Sequence, residues 1–117
     1  MILYIDIDGT ICTEKKIMGK SAKDYMGAKP HMERIAVINR LYDEGHEIHY
    51  WTARGTSSGI DWTDLTTEQL AGWGAKYHEL HVGNKPHFDA YICDKSWNSE
   101  HWFTQSLYEQ IDPPEAD

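Results

Sequence analysis

Four short apolar runs are spaced along the chain, and each has the length of a buried strand. They cover residues 2–7, 47–52, 79–82 and 89–93, and they contain many β-branched and aromatic side chains. Stretches with helical spacing fall between the runs, so predicted strands and helices alternate. This alternation predicts a three-layer α/β domain with a mainly parallel sheet.

Helical patterns fill three of the remaining stretches. The first begins near Pro30 and ends at Gly45, which favours a C-terminal cap. The second spans residues 62–77, although two glycines near its end lower its helix propensity. The third begins at Asn98 or Ser99, since either side chain can cap a helix. The apolar residues expected to face the core are Ile35, Ile38, Leu41, Tyr42, Leu65, Leu70, Trp73, Tyr77, Trp102, Phe103 and Leu107.

The composition is that of a single soluble globular domain. The chain has 117 residues, of which 40% are hydrophobic and 26% charged. We expect one domain over residues 1–112 and a disordered acidic tail over residues 113–117. No stretch approaches the ~20 apolar residues of a membrane helix, and the first residues lack the basic start of a signal peptide. The expected location is therefore the cytoplasm, without membrane contact.

The charge distribution bears on the class of binding partner. The net charge is −8, which disfavours general affinity for nucleic acid or for anionic membranes. Residues 11–29 are an exception, because they contain five lysines and only two acids. This segment is either a solvated loop or a flap whose lysines attract an anionic substrate, and the sequence leaves both interpretations open.

The cysteines and histidines have no spacing typical of a metal site. Cys12 and Cys93 are too few for a disulfide framework or a zinc cluster, and we expect partly buried thiols in a reducing compartment. The seven histidines are scattered along the chain. His46 and His49 lie on a predicted turn and strand, and His78 and His81 flank a predicted strand, so the role expected of the histidines is packing at the surface or in the core.

Polar residues lie at or just beyond the carboxyl ends of all four predicted strands. Asp6 and Asp8 end the first, Thr52 ends the second, Lys85 follows the third and Asp94 ends the fourth. In an open α/β sheet the ligand crevice lies outside these ends. Residues that are far apart in the sequence are therefore expected to converge on one site.

This set of residue types suits phosphoryl transfer. Its three carboxylates would make an oxygen-rich site of the kind that Mg²⁺ prefers. Lys85 supplies a cation and Thr52 a hydroxyl for phosphoryl oxygens. Gly9 allows a sharp turn, so that nearby backbone amides can point at an anion. Carboxylate, metal and cation together are typical of aspartyl-phosphate chemistry.

The same residues resemble the motifs of the haloacid dehalogenase-like phosphatase superfamily. Residues 6–11, Asp-Ile-Asp-Gly-Thr-Ile, are similar to its first signature. Thr52 in Tyr-Trp-Thr-Ala-Arg resembles the second motif, Lys85 in Gly-Asn-Lys-Pro the third and Asp94 the fourth. The order and spacing match over roughly residues 1–98. The resemblance implies a Rossmann-like domain and a magnesium-dependent phosphatase.

The resemblance also implies a role for each residue. Asp6 would be the nucleophile, and Asp8 would protonate the leaving oxygen and later activate water. Thr52 would bind the phosphoryl group, and Lys85 would neutralise it and orient Asp6. The metal residues would be Asp6, Asp8 through its backbone carbonyl, and Asp94. The candidate substrate-binding residues are Gly9, Thr10, Ala53 and Arg54.

Three positions carry alternatives. A second acid often accompanies the metal ligand of the fourth motif, but here Cys93 precedes Asp94 and Asn98 lies four residues beyond it. Asn98 could bind a metal-coordinated water or simply cap the last helix. Asp89 is a rival metal residue, although it opens the fourth predicted strand and so should lie at the wrong end of the sheet. Arg54 could clamp substrate in the crevice or be a salt-bridged loop residue.

The length of the segment that could form a cap domain indicates which substrates the crevice can take. Phosphatases of this family usually carry an inserted cap, whereas residues 11–29 leave space only for a small flap. The chain therefore resembles the minimal-cap branch, in which a second subunit can cover the crevice, so a homo-oligomer is expected. Within this branch it is similar to small phosphatases of capsule and surface-sugar synthesis, which makes a sugar phosphate or similar small phosphorylated metabolite the first candidate substrate.

Other functions fit the same residues. Removal of terminal phosphates from nucleic acid is one, although the acidic balance of the chain counts against it. A phosphomutase would need its aspartyl phosphate shielded from water, which a small flap does not favour. A non-catalytic phosphate-binding module is a third, and the intact set of aspartates and lysine argues against it.

Overall fold

A computed structural model describes residues 1–14 and 25–111 of the chain. The central part of the predicted flap, residues 15–24, lies outside this description. The predicted tail over residues 113–117 lies outside it as well. None of the helices in the described part is long and apolar enough to cross a membrane.

Three parallel strands form the sheet, and the domain is of the α/β class as predicted. The strands lie side by side in the order in which they occur in the sequence. They are β1 (Ile2–Ile5), β2 (Glu47–Thr52) and β3 (Glu79–Val82). Parallel neighbours need a crossover between them, and a helix lies in each of the two connections.

The three predicted helices are present, but two of them end earlier than expected. They are α1 (Met32–Asp43), α2 (Thr63–Gly72) and α3 (Ser99–Thr104), and a 3₁₀ turn, Leu107–Gln110, follows α3. Gly45 ends α1 with a φ of +101°, as the pattern predicted. The second helix stops at the glycine pair near residue 72, where Gly74 has a φ of +73°. The Asn98 side chain caps α3 by accepting a hydrogen bond from the backbone N–H of His101 at 3.3 Å.

The fourth strand predicted over residues 89–93 is not formed. These residues lie in irregular structure and pair with no neighbour in the described sheet. Their apolar side chains face water, since Tyr91 is 62% exposed and Ile92 is 97% exposed. A run of so few apolar residues gains little from strand formation unless a neighbouring surface buries it, and the described arrangement provides no such burial.

The core lies on one face of the sheet. Register places Leu3 beside Ile48 and Tyr50 beside Leu80, so these side chains point to the same side. Buried residues of all three helices join this face in one cluster, which contains Ile35, Ile38, Leu41, Ile48, Tyr50, Leu70 and Trp102. The opposite face carries Tyr4, Glu47, His49, Trp51, Glu79 and His81. A helical layer on that second face is not described, so the three-layer arrangement stays a prediction.

A groove runs beside β1, whose outer edge has no partner strand in the described sheet. Its volume is about 310 Å³, and Leu3 and Ile5 line it on the sheet side. Trp97, Trp102 and Phe103 line it from α3 and the segment before that helix. The groove is therefore mostly apolar, and it opens next to the residues that follow β1.

The loop after β2 depends on the conformation of Gly55. Its φ is +83°, and a Cβ at this position would overlap the backbone carbonyl oxygen of Ile60. Gly59 has a similar φ of +76°, but a Cβ there would meet no atom within 4 Å. An alanine at Gly59 would therefore lose stability only through the left-handed conformation, whereas an alanine at Gly55 would also lose stability through a steric clash.

We expect Gly55→Ala to destabilise the fold more than Gly59→Ala. Gly59→Ala should cost about 1–2 kcal/mol for the left-handed conformation alone. Gly55→Ala should cost a further ~1–3 kcal/mol, because the loop must shift to relieve the clash. Urea denaturation of both variants measures the difference, and equal costs would show that this loop moves freely.

Candidate active site

A pocket of about 180 Å³ lies at the carboxyl ends of β1 and β2. It brings together six of the candidate residues, which are Asp6, Asp8, Thr52, Ala53, Arg54 and Lys85. The convergence expected from the strand ends is therefore present for three of the four predicted motifs.

The turn after β1 positions the two aspartates. The backbone N–H groups of Thr10 and Ile11 donate to the carbonyl oxygen of Ile7, at 3.1 and 3.0 Å. Gly9 has a φ of +79°, which is costly for other residues and lets the chain turn within four positions. Ile7 and Ile11 are fully buried. Because the turn is anchored in the core, the carboxylates on either side of Ile7 are held at the pocket.

Lys85 forms an ion pair with Asp6 in this pocket. The Nζ atom lies 3.1 Å from Asp6 Oδ1, and the two side chains are 15% and 40% exposed. Burial raises the pKa of Asp6 above its ordinary value, and the nearby Lys85 ammonium opposes this rise. The ammonium also lies 5.4 Å from the centre of the Trp51 ring and 5.8 Å from that of Phe88. Lys85 is thus held against the carboxylate that sequence predicts to be the nucleophile.

Arg54 forms a second, more deeply buried ion pair with Asp8. Its Nε and Nη2 atoms donate to the two carboxylate oxygens at 3.0 and 2.8 Å, and the Arg54 side chain has no exposure. Nη1 donates to Thr66 and Gln69 of α2. The guanidinium also lies 4.8 Å from the centre of the Tyr25 ring. Of the two alternatives for Arg54, the structure has the salt bridge.

Two further buried groups surround this pair. The Cys12 thiol donates to Asp8 Oδ1 at 3.5 Å, and burial, reinforced by the Asp8 charge, raises the pKa of Cys12 to about 12. Cys12 therefore stays a neutral thiol at physiological pH. The Thr52 hydroxyl oxygen accepts a hydrogen bond from the backbone N–H of Arg54 at 3.2 Å. Thr52 is only 1% exposed, so it lines the buried floor of the pocket.

The remaining candidates lie outside the pocket lining. Asp94 is exposed in the irregular segment that was predicted to be a strand, and Asp89 is exposed in the same segment. Asn98 caps α3, which is one of the two roles that the sequence allowed. Thr10 lines the neighbouring groove, and its hydroxyl donates to Asp6 Oδ2 at 3.4 Å. Gly9 contributes the turn and does not line the pocket.

Sequence reasoning missed two groups of residues. Glu14 and Tyr25, both within the predicted flap, also line the pocket. His46 and His49 are buried, in line with the packing expected of them, but the sequence did not show that the rings of His49 and His81 lie side by side next to Glu79. In a strand, alternate side chains lie on the same face, which is why Glu79 and His81 share a face of β3. That His49 of β2 lies on the same face beside them follows only from the register of the two strands.

Comparisons with known proteins establish the fold and no more. No family model matches the chain, and no curated protein matches it. A crystal structure of a target protein from Vibrio cholerae is similar, with a TM-score of 0.70 and 24% identity. The match covers 94% of this chain and 98% of that one. At this level of identity, the similarity supports a common architecture and carries no assignment of activity.

Removing the ammonium should change the titration of Asp6. In Lys85→Met, the pKa of Asp6 should move further upward, because the ammonium that most opposes the effect of burial is then gone. The folded wild type already binds this proton more tightly than the unfolded chain. The free energy of unfolding that this proton contributes is therefore present at low pH, and it is lost as pH rises through the pKa of Asp6 in the folded state. Titration of the Asp6 carboxyl carbon by NMR measures the shift. Lys76→Met, which removes an exposed ammonium paired with Asp43, is the control and should leave Asp6 unchanged.

Arg54→Met should lower the free energy of unfolding by about 3–5 kcal/mol, because Asp8 would remain as a buried, unpaired charge. The control Arg40→Met breaks a half-exposed pair with Glu44 and should cost less than about 1 kcal/mol. Adding Asp8→Asn to Arg54→Met should recover part of the loss, since the unpaired charge is then gone. Chemical denaturation tests all three, and equal costs at Arg54 and Arg40 would contradict the buried pair.

Proposed function

We propose that this protein is a magnesium-dependent phosphomonoester hydrolase of the haloacid dehalogenase-like type, which transfers a phosphoryl group to Asp6 and then to water. The observation that carries the proposal is the Lys85–Asp6 pair, 3.1 Å apart in a pocket that also contains Asp8. A carboxylate nucleophile, a cation beside it and a second carboxylate two residues away are the protein groups that this chemistry requires.

In the first step, a carboxylate oxygen of Asp6 attacks phosphorus, and the bond from phosphorus to the leaving oxygen breaks. The leaving oxygen takes a proton from Asp8, which is the general acid of the proposal. Lys85 lies where it can neutralise charge on the phosphoryl oxygens and hold Asp6 in line. Thr52 contributes a hydroxyl to the same oxygens from the end of β2.

In the second step, water attacks the phosphorus of the aspartyl phosphate, gives its proton to Asp8 and releases inorganic phosphate and Asp6. Both oxygens of Asp8 accept hydrogen bonds from Arg54. A proton on Asp8 uses an acceptor position that these two bonds leave open, so Arg54 fixes the orientation of the acid–base residue during each transfer. This makes Arg54 a positioning residue, whereas the sequence had offered it as a possible substrate clamp.

The residues of the pocket suit magnesium by their chemistry. The carboxylates of Asp6, Asp8 and Glu14 line it, and Mg²⁺ prefers hard oxygen donors with space for several waters. Asp6, through its carboxylate, and Asp8, through its backbone carbonyl, are the residues that would hold the ion. When bound, the ion supplies charge neutralisation for the phosphoryl group. Asp94, which the resemblance adds to this set, is outside the pocket lining in the described arrangement.

The proposal includes a finer prediction about the fold, which is the three-layer, Rossmann-like arrangement that the resemblance implies.

The proposed substrate is a small phosphorylated metabolite, with a sugar phosphate as the first candidate. A pocket of about 180 Å³ accommodates a phosphoryl group and a small leaving group. The net charge of −8 disfavours polyanionic substrates such as nucleic acid. A homo-oligomer that covers the pocket, and a cytoplasmic location, remain part of the proposal.

We expect Asp6→Asn to abolish hydrolysis of p-nitrophenyl phosphate, because an amide does not act as the nucleophile. Asp8→Asn should reduce turnover by about 10²- to 10⁴-fold, the usual contribution of positioned acid–base catalysis. Asp43→Asn removes an exposed carboxylate away from the pocket and should behave as wild type. Circular dichroism of each variant separates loss of chemistry from loss of fold.

The same assay tests the metal. Chelation should remove the activity of the wild type, and added Mg²⁺ should restore it. Hydrolysis by Asp6→Asn at the wild-type rate would refute the covalent mechanism, whereas a rate insensitive to chelation would refute only the metal assignment.

A further inference from the structure

The open face of the sheet carries a second cluster of potential ligands, separate from the candidate active site. His49 lies on β2, and Glu79 and His81 lie on β3. Parallel register places His49 directly beside Glu79, and His81 is two residues further along the same face. The three side chains are therefore neighbours because of the backbone register.

The three ligand atoms face one another at distances that suit a metal ion. His49 Nδ1 lies 3.0 Å from His81 Nε2 and 3.7 Å from Glu79 Oε2, and His81 Nε2 lies 3.5 Å from Glu79 Oε2. In a tetrahedral site with bonds of about 2.1 Å, ligand atoms are roughly 3.4 Å apart. An ion about 2.1 Å from all three atoms therefore fits just above the triangle they form.

The surrounding side chains hold the His49 ring in the orientation that a metal ligand needs. Glu47 Oε2 lies 2.9 Å from His49 Nε2, so a carboxylate is in place to accept a proton from this nitrogen when Nδ1 binds an ion. A carboxylate behind a ligating histidine is a recurrent arrangement in zinc sites. Tyr4 stacks on both imidazoles, with ring centres 4.6 and 5.7 Å away. His49 is only 7% exposed, so its ring has little freedom to turn away.

We propose that His49, Glu79 and His81 bind a divalent transition-metal ion of the zinc type. Two imidazoles and one carboxylate are a donor set that zinc accepts, whereas magnesium prefers a site composed of oxygens. Glu79 is 61% exposed, which leaves a fourth position open to water. The bound ion links β2 to β3 and stabilises their pairing. The proposal is independent of the phosphatase mechanism, since none of its residues lines the candidate active-site pocket.

The test is metal binding by the intact chain, with Mg²⁺ present in excess to occupy oxygen-rich sites. Isothermal titration with Zn²⁺ should give one tight site per chain in the wild type. The double variant Glu79→Gln/His81→Gln should bind Zn²⁺ at least about 100-fold more weakly, because two ligands are removed. Both replaced side chains are partly or largely exposed, so the variant should fold. Glu47→Ala should weaken binding by about 10- to 100-fold through the orientation of His49.

A matched control variant removes the same residue types elsewhere. His101→Gln/Glu109→Gln changes two exposed residues away from the sheet and should bind Zn²⁺ as the wild type does. Zn²⁺ should also raise the Tm of the wild type and of this control, but not that of Glu79→Gln/His81→Gln. Co²⁺ in the wild-type site should give the intense visible absorption of a tetrahedral complex.

Equal Zn²⁺ affinity in the wild type and in Glu79→Gln/His81→Gln would overturn the proposal. A Co²⁺ spectrum identical to that of the free aqua ion in the presence of the wild type would overturn it too, because the three residues would then act only as a hydrogen-bonded cluster. Loss of phosphatase activity in Asp6→Asn with Zn²⁺ binding retained would show that the two sites are separate.

Discussion

The buried ion pair between Asp8 and Arg54 connects the parts of the chain that form the pocket. Asp8 belongs to the turn after β1, and Arg54 belongs to the loop after β2. The same guanidinium reaches Thr66 and Gln69 of α2. Because a buried charge is costly without its partner, these segments keep their relative positions only while the pair is intact. The loop geometry, the orientation of Asp8 and the position of α2 all depend on this contact.

The two ion pairs of the pocket have different surroundings, and the difference suits different tasks. Asp6 is 40% exposed beside Lys85, so its carboxylate can meet a ligand from solvent. Asp8 is 12% exposed and both of its oxygens are engaged by an arginine. A half-open carboxylate can react, whereas an enclosed one is better placed to exchange protons in a defined orientation. Two identical side chains two positions apart thus acquire distinct environments from the cations that face them.

Much of the architecture and of the pocket could be predicted from the sequence, because both depend on local patterns. Buried runs ending in polar residues located Asp6, Thr52 and Lys85 at one edge of a parallel sheet. The prediction failed for residues 89–93, where a short apolar run looks the same whether or not a neighbour buries it. The sequence also did not show the proximity of His49 and His81, which are 32 positions apart and become neighbours only through the register of β2 and β3. Local patterns identify strands, but pairing determines which side chains meet.

The order of the strands has a consequence for how the chain folds. Ile2 of β1 pairs with Glu47 of β2, whereas His49 of β2 pairs with Glu79 of β3, so the first pairing closes the longer loop. Closing a longer loop costs more chain entropy, and such non-local pairing slows folding. During synthesis, β1 leaves the ribosome first but has no partner until β2 has followed. The strand that leads to Asp6 therefore waits unpaired longer than the other two, and its apolar residues stay open to wrong contacts for that time.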